Sequence, residues 1–180
     1  GADPLEAARA RLLIPAAKYL VCKAAPGFIY EALECVGGNG YVEEGPLARL
    51  YREAPLNAIW EGSGNVMCLD VLRALSRDGE AAENVIADLA QATGDLPGAR
   101  DAASFLVKTL RSAEAEASAR SAVERLALLA AAAALNEGAS AIAETFARAR
   151  LAEPKGSSYG TARLTSSEVA RLLERALPAA

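Results

Sequence analysis

Histidine is absent from the 180 residues. That excludes a histidine-based catalytic triad and a histidine-ligated zinc site built from this chain alone. Aromatic residues are scarce, 5% against 52% hydrophobic residues in all, so the core is expected to be aliphatic and rich in alanine. Alanine is the best helix former, while the β-branched residues that favour strands are sparse. The cysteines, Cys22, Cys35 and Cys68, are odd in number, far apart and without a Cys-x-x-Cys pair. Reduced thiols in a cytoplasmic protein are the expected state. The longest purely apolar run, 126–135, is half the roughly 20 residues that a bilayer span requires, so no membrane association is expected. An excess of positive charge is missing too. The net charge is -4, from 19 basic and 23 acidic residues, which gives no general attraction to nucleic acid. The opening residues, Gly-Ala-Asp-Pro-Leu-Glu, are acidic and do not read as a signal peptide.

What is present is helical periodicity. Residues 4–23 read as a helix, with Pro4 suited to its first turn and Leu5, Ala8, Leu12, Ala16 and Leu20 at near-helical spacing. Pro15 inside this pattern predicts a kink or a break. Pro26-Gly27 reads as a connection, and Phe28 to Val36 as a second helix closed by Gly37-Gly38. Gly38-Asn39-Gly40 predicts a turn with positive φ. Pro46 to Glu53 reads as a short helix stopped by Pro55, and Gly62 to Leu75 as the next, with Ser63 placed to cap it. Further helices are expected at 80–93, from 99 through the seam ending at Ala117, over 122–136, and from Ser166 to Leu177, with a loop at 154–160. The sum is an all-α bundle. The polar stretch at 76–79 divides it into an expected first unit, 1–77, and a second, 78–180.

Chemistry concentrates at 31–73. Glu61 follows Ile59-Trp60 and precedes Gly-Ser-Gly-Asn. An apolar wall beside a carboxylate raises its pKa by desolvation, and a helix start pulls the other way. A carboxylate tuned in this manner can remove a weakly acidic proton next to a carbonyl. The plainer alternative is a helix start with Ser63 as cap and Glu61 as a solvated side chain. The run Gly37-Gly38-Asn39-Gly40 also reads in two ways, as amides presented to phosphate or as the end of a helix.

The combination narrows the choice. Glu34-Cys-Val-Gly37-Gly38-Asn-Gly-Tyr, then Tyr51-Arg52-Glu53-Ala54-Pro55-Leu-Asn, then Ile59-Trp60-Glu61-Gly62-Ser63-Gly-Asn65 resemble the C-terminal domain of acyl-CoA dehydrogenases, most of all the AidB branch. The resemblance implies an acyl-CoA dehydrogenase C-terminal-type helical bundle with additional C-terminal helices. It implies that Glu61 is the catalytic base for the α-proton of an acyl-CoA while FAD accepts hydride. It implies FAD contacts at Ser63 and Asn65, and at Glu34, Gly37 and Gly38 toward the FAD of a neighbouring subunit. Glu34 stands where much of the family has glutamine; an ionised carboxylate cannot donate a hydrogen bond. The family has two further domains, so the chain is expected to be part of a longer flavoprotein, a dimer or tetramer, that binds little FAD by itself.

In the AidB branch the residues beyond about 76 correspond to additional helices associated with the alkylation damage response and with double-stranded DNA. The resemblance puts DNA contacts at Arg73 and at the local basic excess in 148–175, namely Arg148, Arg150, Lys155 and Arg163. The alternative is a structural or oligomerising helical module, which the acidic balance of 79–180 favours, since phosphate binding needs concentrated cations.

Overall fold

The computed structural model describes residues 3–154, 156 and 158–177. Among them the chain is helical and carries no strand, the all-α architecture that was expected. Helix α1 spans Pro4–Cys35, α2 Gly38–Tyr41, α3 Pro46–Glu53, α4 Gly64–Asp78, α5 Glu80–Thr93, α6 Ala99–Leu110, α7 Ala119–Gly138, α8 Ser140–Ala147 and α9 Ser166–Ala176. A 3-10 turn, Ala54–Ala58, follows α3, and a π-helical turn, Arg148–Ala152, follows α8.

Helix α1 departs most from expectation. It runs unbroken through Pro15 and Pro26, where two helices and a connection were expected. A proline inside a helix costs about 3 kcal/mol, because it removes one backbone bond and crowds the preceding turn. Tertiary burial on both sides of Pro15 offsets this: Ala8, Leu12 and Ala16 are fully buried, against α4, α5 and α7. Asp3 caps the start, its carboxylate accepting from the Leu5 amide at 3.0 Å. Being continuous, α1 is long and apolar enough to cross a bilayer by length and composition. Its contacts with α4, α5 and α7 account for the apolarity of its first half.

Helix α7 is the centre of the bundle. Ala122, Val123, Leu126, Leu129 and Ala132 are all buried along it, and it packs on α1, α4, α5, α6 and α8. One continuous core joins Leu12 and Val71 from the first half of the chain to Leu106, Leu126 and Leu129 from the second. Each such leucine contributes roughly 1.5–3 kcal/mol by leaving water.

Smaller differences have local causes. Helix α6 stops at Leu110, and 111–118 is a series of turns, so the periodic seam through Ala117 is not one helix. Ser63 occupies the N-cap of α4 without a side-chain cap bond. Residues 38–41 form a single helical turn, and the positive φ falls on Gly37, at +60°. Gly40 is glycine because of packing: a Cβ there would lie 2.6 Å from the Leu33 carbonyl oxygen. Helix α9 starts with a capping box in which Thr165 and Glu168 satisfy each other's backbone.

Candidate functional site

The segment 54–66 turns the chain from α3 into α4. The 3-10 turn buries Ala54 and closes with the Ile59 and Trp60 amides donating to the Leu56 carbonyl at 2.9 and 3.1 Å. Next comes Glu61, whose φ of +53° is the one positive value among the described non-glycine residues. Gly62 follows at +109°, where a Cβ would collide with the Met67 side chain. The Lys18 ammonium of α1 reaches this turn, donating to the Trp60 carbonyl at 2.6 Å and the Gly62 carbonyl at 3.0 Å. The two carbonyls bracket Glu61.

The Glu61 side chain is exposed. Ile59 and Trp60 are exposed as well, 64% and 53%, so within this chain the expected apolar wall does not close around the carboxylate. The same three side chains form an open surface that a covering domain, subunit or ligand would turn into such a wall.

Ser63 and Asn65 lie at the start of α4. With no cap bond, the Ser63 hydroxyl is free to donate outward. The Asn65 side-chain oxygen accepts from Arg120 Nε of α7 at 2.9 Å, which leaves its amide N–H groups to donate. Ser63, Asn65, Arg120 and the first-turn amides of α4 are a donor set suited to an acceptor-rich anionic group, and the phosphates of FAD fit it chemically. Beneath, Gly64 is buried under Lys23 and Tyr19. Burial pushes the nearby Cys68 thiol up in pKa, against the pull of Arg120 and Lys23, and desolvation raises the Tyr19 hydroxyl.

Glu34, Gly37 and Gly38 lie at the far end of α1. Nothing comes within 4 Å of a Cβ built on Gly37 or Gly38, so both leave backbone open to approach, and Glu34 is exposed. Lys18 and Glu34 are separated by about 24 Å along the helix at 1.5 Å rise per residue. The glycine turn and the Glu61 turn are therefore separate surfaces of one chain, an arrangement suited to contacts with two different ligand molecules.

The residues expected to contact DNA are placed unevenly. Arg73 pairs with Asp70 at 2.6 Å on its own helix. Arg148 is committed internally, to Glu153 at 3.0 Å, Glu168 at 2.6 Å and the Arg163 carbonyl at 2.7 Å. Arg150 and Arg163 are exposed; Lys155 lies outside the described residues. Helix α4 packs on α1, α5 and α7, whereas the 148–152 turn packs on α6, α7 and α8. The 158–165 loop folds back on α1, with Tyr159 Oη donating to the Ala24 carbonyl at 2.9 Å and its ring filling the space above Gly27. The return is thus onto α1 and not over α4, which carries Arg73.

Sequence patterning does not single out Lys18 or Arg120. Each acts across 42 residues or more, and an isolated lysine or arginine on a helix carries no local sign of such a partner. A groove of about 1150 Å³ between α4, α5 and α6, lined by Leu72, Ile86, Ala87 and Val107 among others, includes none of the candidate residues. Among the described residues no group of three metal-ligating side chains occurs.

Comparison with known proteins finds a family to which the segment holding the Glu61 turn is similar. Residues 2–76 match the family model "Acyl-CoA dehydrogenase, C-terminal domain". AidB of Escherichia coli (strain K12) is 60% identical over 76 residues, 42% of this chain and 14% of that protein. Acyl-CoA dehydrogenase family member 11 of Caenorhabditis elegans is 44% identical over 72 residues, 40% of this chain and 12% of that protein. The mitochondrial short-chain specific acyl-CoA dehydrogenase of Bos taurus is 38% identical over 55 residues, 31% of this chain and 13% of that protein. The chain thus matches only about one seventh of the length of these relatives, and α5 to α9 lie beyond the family match.

Proposed function

We propose, on the premise that residues 2–76 are an acyl-CoA dehydrogenase C-terminal domain with AidB as a homologue, that the chain is the C-terminal helical part of an FAD-dependent acyl-CoA dehydrogenase-like flavoprotein. Family members are in general FAD-dependent and oligomeric. The observation that carries the reading is the Glu61 turn: a carboxylate at the family's glutamate position, held in an unusual backbone conformation. Bound FAD supplies the hydride acceptor. Glu61 would take the α-proton of an acyl thioester while the β-carbon gives up a hydride to that acceptor, so that the electron pair of the α C–H bond becomes the double bond between the α and β carbons. Ser63 and Asn65 would donate to FAD, and Gly37 and Gly38 would approach the FAD of a neighbouring subunit, with Glu34 accepting. The setting is cytoplasmic and the assembly a dimer or tetramer. In the complete flavoprotein, Glu61→Gln should leave the flavin bound and slow its anaerobic bleaching by acyl-CoA ~10²–10⁴-fold. Equal bleaching rates would return Glu61 to a solvated role.

A second reading has its own support. Phe28, Tyr41, Ile59 and Trp60 are all more than half exposed, an apolar surface suited to a helical oligomerisation module. Sedimentation of the 180-residue chain tests it; a monomer at high micromolar concentration removes it.

Duplex DNA association in an alkylation damage response belongs to the AidB likeness. With Arg148 and Arg73 occupied by acidic neighbours, such contact would run through Arg150, Arg163 and Lys155. Three phosphate contacts give a log–log salt slope of about -2.7. Binding that ignores salt, or survives charge reversal at Arg150 and Arg163, removes this patch.

A further inference from the structure

We propose that Lys18 is the positioning residue for Glu61, holding that residue's backbone in the left-handed conformation. The functional meaning of the proposal rests on Glu61 as proton acceptor; its geometry does not. The Lys18 ammonium donates to the carbonyls immediately before and after Glu61, at 2.6 and 3.0 Å. Glu61 itself sits at φ +53°. For a residue with a Cβ this conformation is disfavoured about 5- to 30-fold. It persists only where the surroundings over-determine it.

Local structure does not over-determine it here. Ile59 and Trp60 are exposed on one side, and Ser63 makes no cap bond on the other. The Glu61 side chain itself has no hydrogen bond or ion pair among the described residues. Gly62 under Met67 fixes only the trailing end. What remains is the cation. An ammonium has three donors and no acceptor, and its bonds to neutral carbonyls are charge-assisted. Lys18 also belongs to α1, whose place is set by the buried Leu12 and Ala16. The clamp therefore references the Glu61 turn to the core of the bundle, far away in sequence. Release of the clamp would let φ change sign and swing the carboxylate to another side of the turn.

The 180-residue chain contains both residues, so the test needs no cofactor. In NMR spectra the three-bond coupling between the amide and α protons, together with the Cα shift, reports the conformation of Glu61. Lys18→Met should lower the left-handed population at least about five-fold without moving the signals of Leu126 and Val85. Lys18→Arg, which keeps several donors, should restore most of it. Reductive dimethylation is a second route that needs no substitution: it keeps the charge but leaves one N–H, too few to bridge two carbonyls, and should have the same effect. Persistence of the left-handed signature after either treatment overturns the proposal. In the complete flavoprotein Lys18→Met should lower kcat by about 10²-fold, the usual consequence of an ångström of misplacement, with flavin content and KM kept. If Glu61→Gln has no effect on turnover while the NMR result holds, the base reading fails and the clamp stands. A signature that survives Lys18→Met, with turnover impaired by Glu61→Gln, has the opposite meaning.

Discussion

The first 76 residues and the helices after them bury their apolar side chains differently. Helix α7 is enclosed by five neighbours, and Leu126, Leu128 and Leu129 are hidden. The second half of α1, α2, α3 and the Glu61 turn display theirs: Phe28, Tyr30, Tyr41, Tyr51, Ile59 and Trp60 are all exposed. Aromatic side chains are the costliest to leave in water, and this chain has few. It places most of them on the surface of the family-matched region, while alanine and leucine fill the core. Large exposed apolar patches mark surfaces suited to being covered. The contrast teaches that the two regions share one core, which α7 fills from the extension and the first half of α1 and α4 from the family-matched part, while the exposed apolar side chains concentrate in the family-matched part.

The widest separation between the two regions should come from truncation. Leu126→Ala on α7 is expected to destabilise the chain by about 2–5 kcal/mol, read by urea denaturation. Phe28→Ala should stay within about 0.5 kcal/mol, although a buried phenylalanine would cost more than a leucine. A large loss for Phe28→Ala would show that the chain already covers this face, for example with a second copy.

Glycine substitution sharpens the same comparison. Gly98 sits at φ +75°, and a Cβ on it would lie 2.6 Å from the Leu151 carbonyl carbon. Gly98→Ala therefore adds a backbone clash to conformational strain and should cost about 3 kcal/mol. Gly37, at φ +60° and ψ -143° with open space around it, carries conformational strain without a clash, and Gly37→Ala should cost about 1–2 kcal/mol. Equal losses in thermal or urea melts would mean that Gly37 is covered after all.

Acid should act on the extension first. The Thr165 amide, then the Arg148 guanidinium, hold the Glu168 carboxyl well below its usual range, at about 2. A depressed carboxylate pKa contributes stability that is complete above the unfolded value, near 4.5, and is lost as pH falls through about 2. Between pH 4.5 and 2, then, α9 should loosen progressively, seen as loss of amide protection at Thr165 and Glu168. Glu168→Gln should give a chain whose α9 is already loose at pH 7 and less responsive to acid in this window. The smallest effect is on thiol reactivity. Iodoacetamide should label exposed Cys35 first, half-buried Cys22 next and Cys68 last, since Cys68 is buried and its thiol is pushed up in pKa. Early labelling of Cys68 would place an opening between α1, α4 and α7.

The legible parts of this molecule were those decided locally. Helices α3 and α5 and the start of α9 follow from proline, glycine and capping residues within a few positions, and Glu61, Ser63 and Asn65 stood out through one contiguous motif. Properties set by distant partners were not legible. The continuity of α1 depends on burial that outweighs two prolines. The clamp from Lys18 and the Arg120 bond to Asn65 join residues 42 to 55 positions apart. The commitment of Arg148 to two glutamates depends on where α9 docks, so a count of positive charge could not reveal that its charge is already matched.

The bond from Tyr159 to Ala24 spans 135 residues, and this sets an order of events during synthesis. At about 5–20 residues per second, on the order of ten seconds separate the emergence of the middle of α1 from that of the side chain that fastens it. For that interval the stretch around Pro26 has neither its latch nor the packing that secures the turn around Pro15. A ribosome-bound nascent chain should therefore show the first turns of α1 settling early and the Ala24–Gly27 turn last, a sequence in time set by one tyrosine.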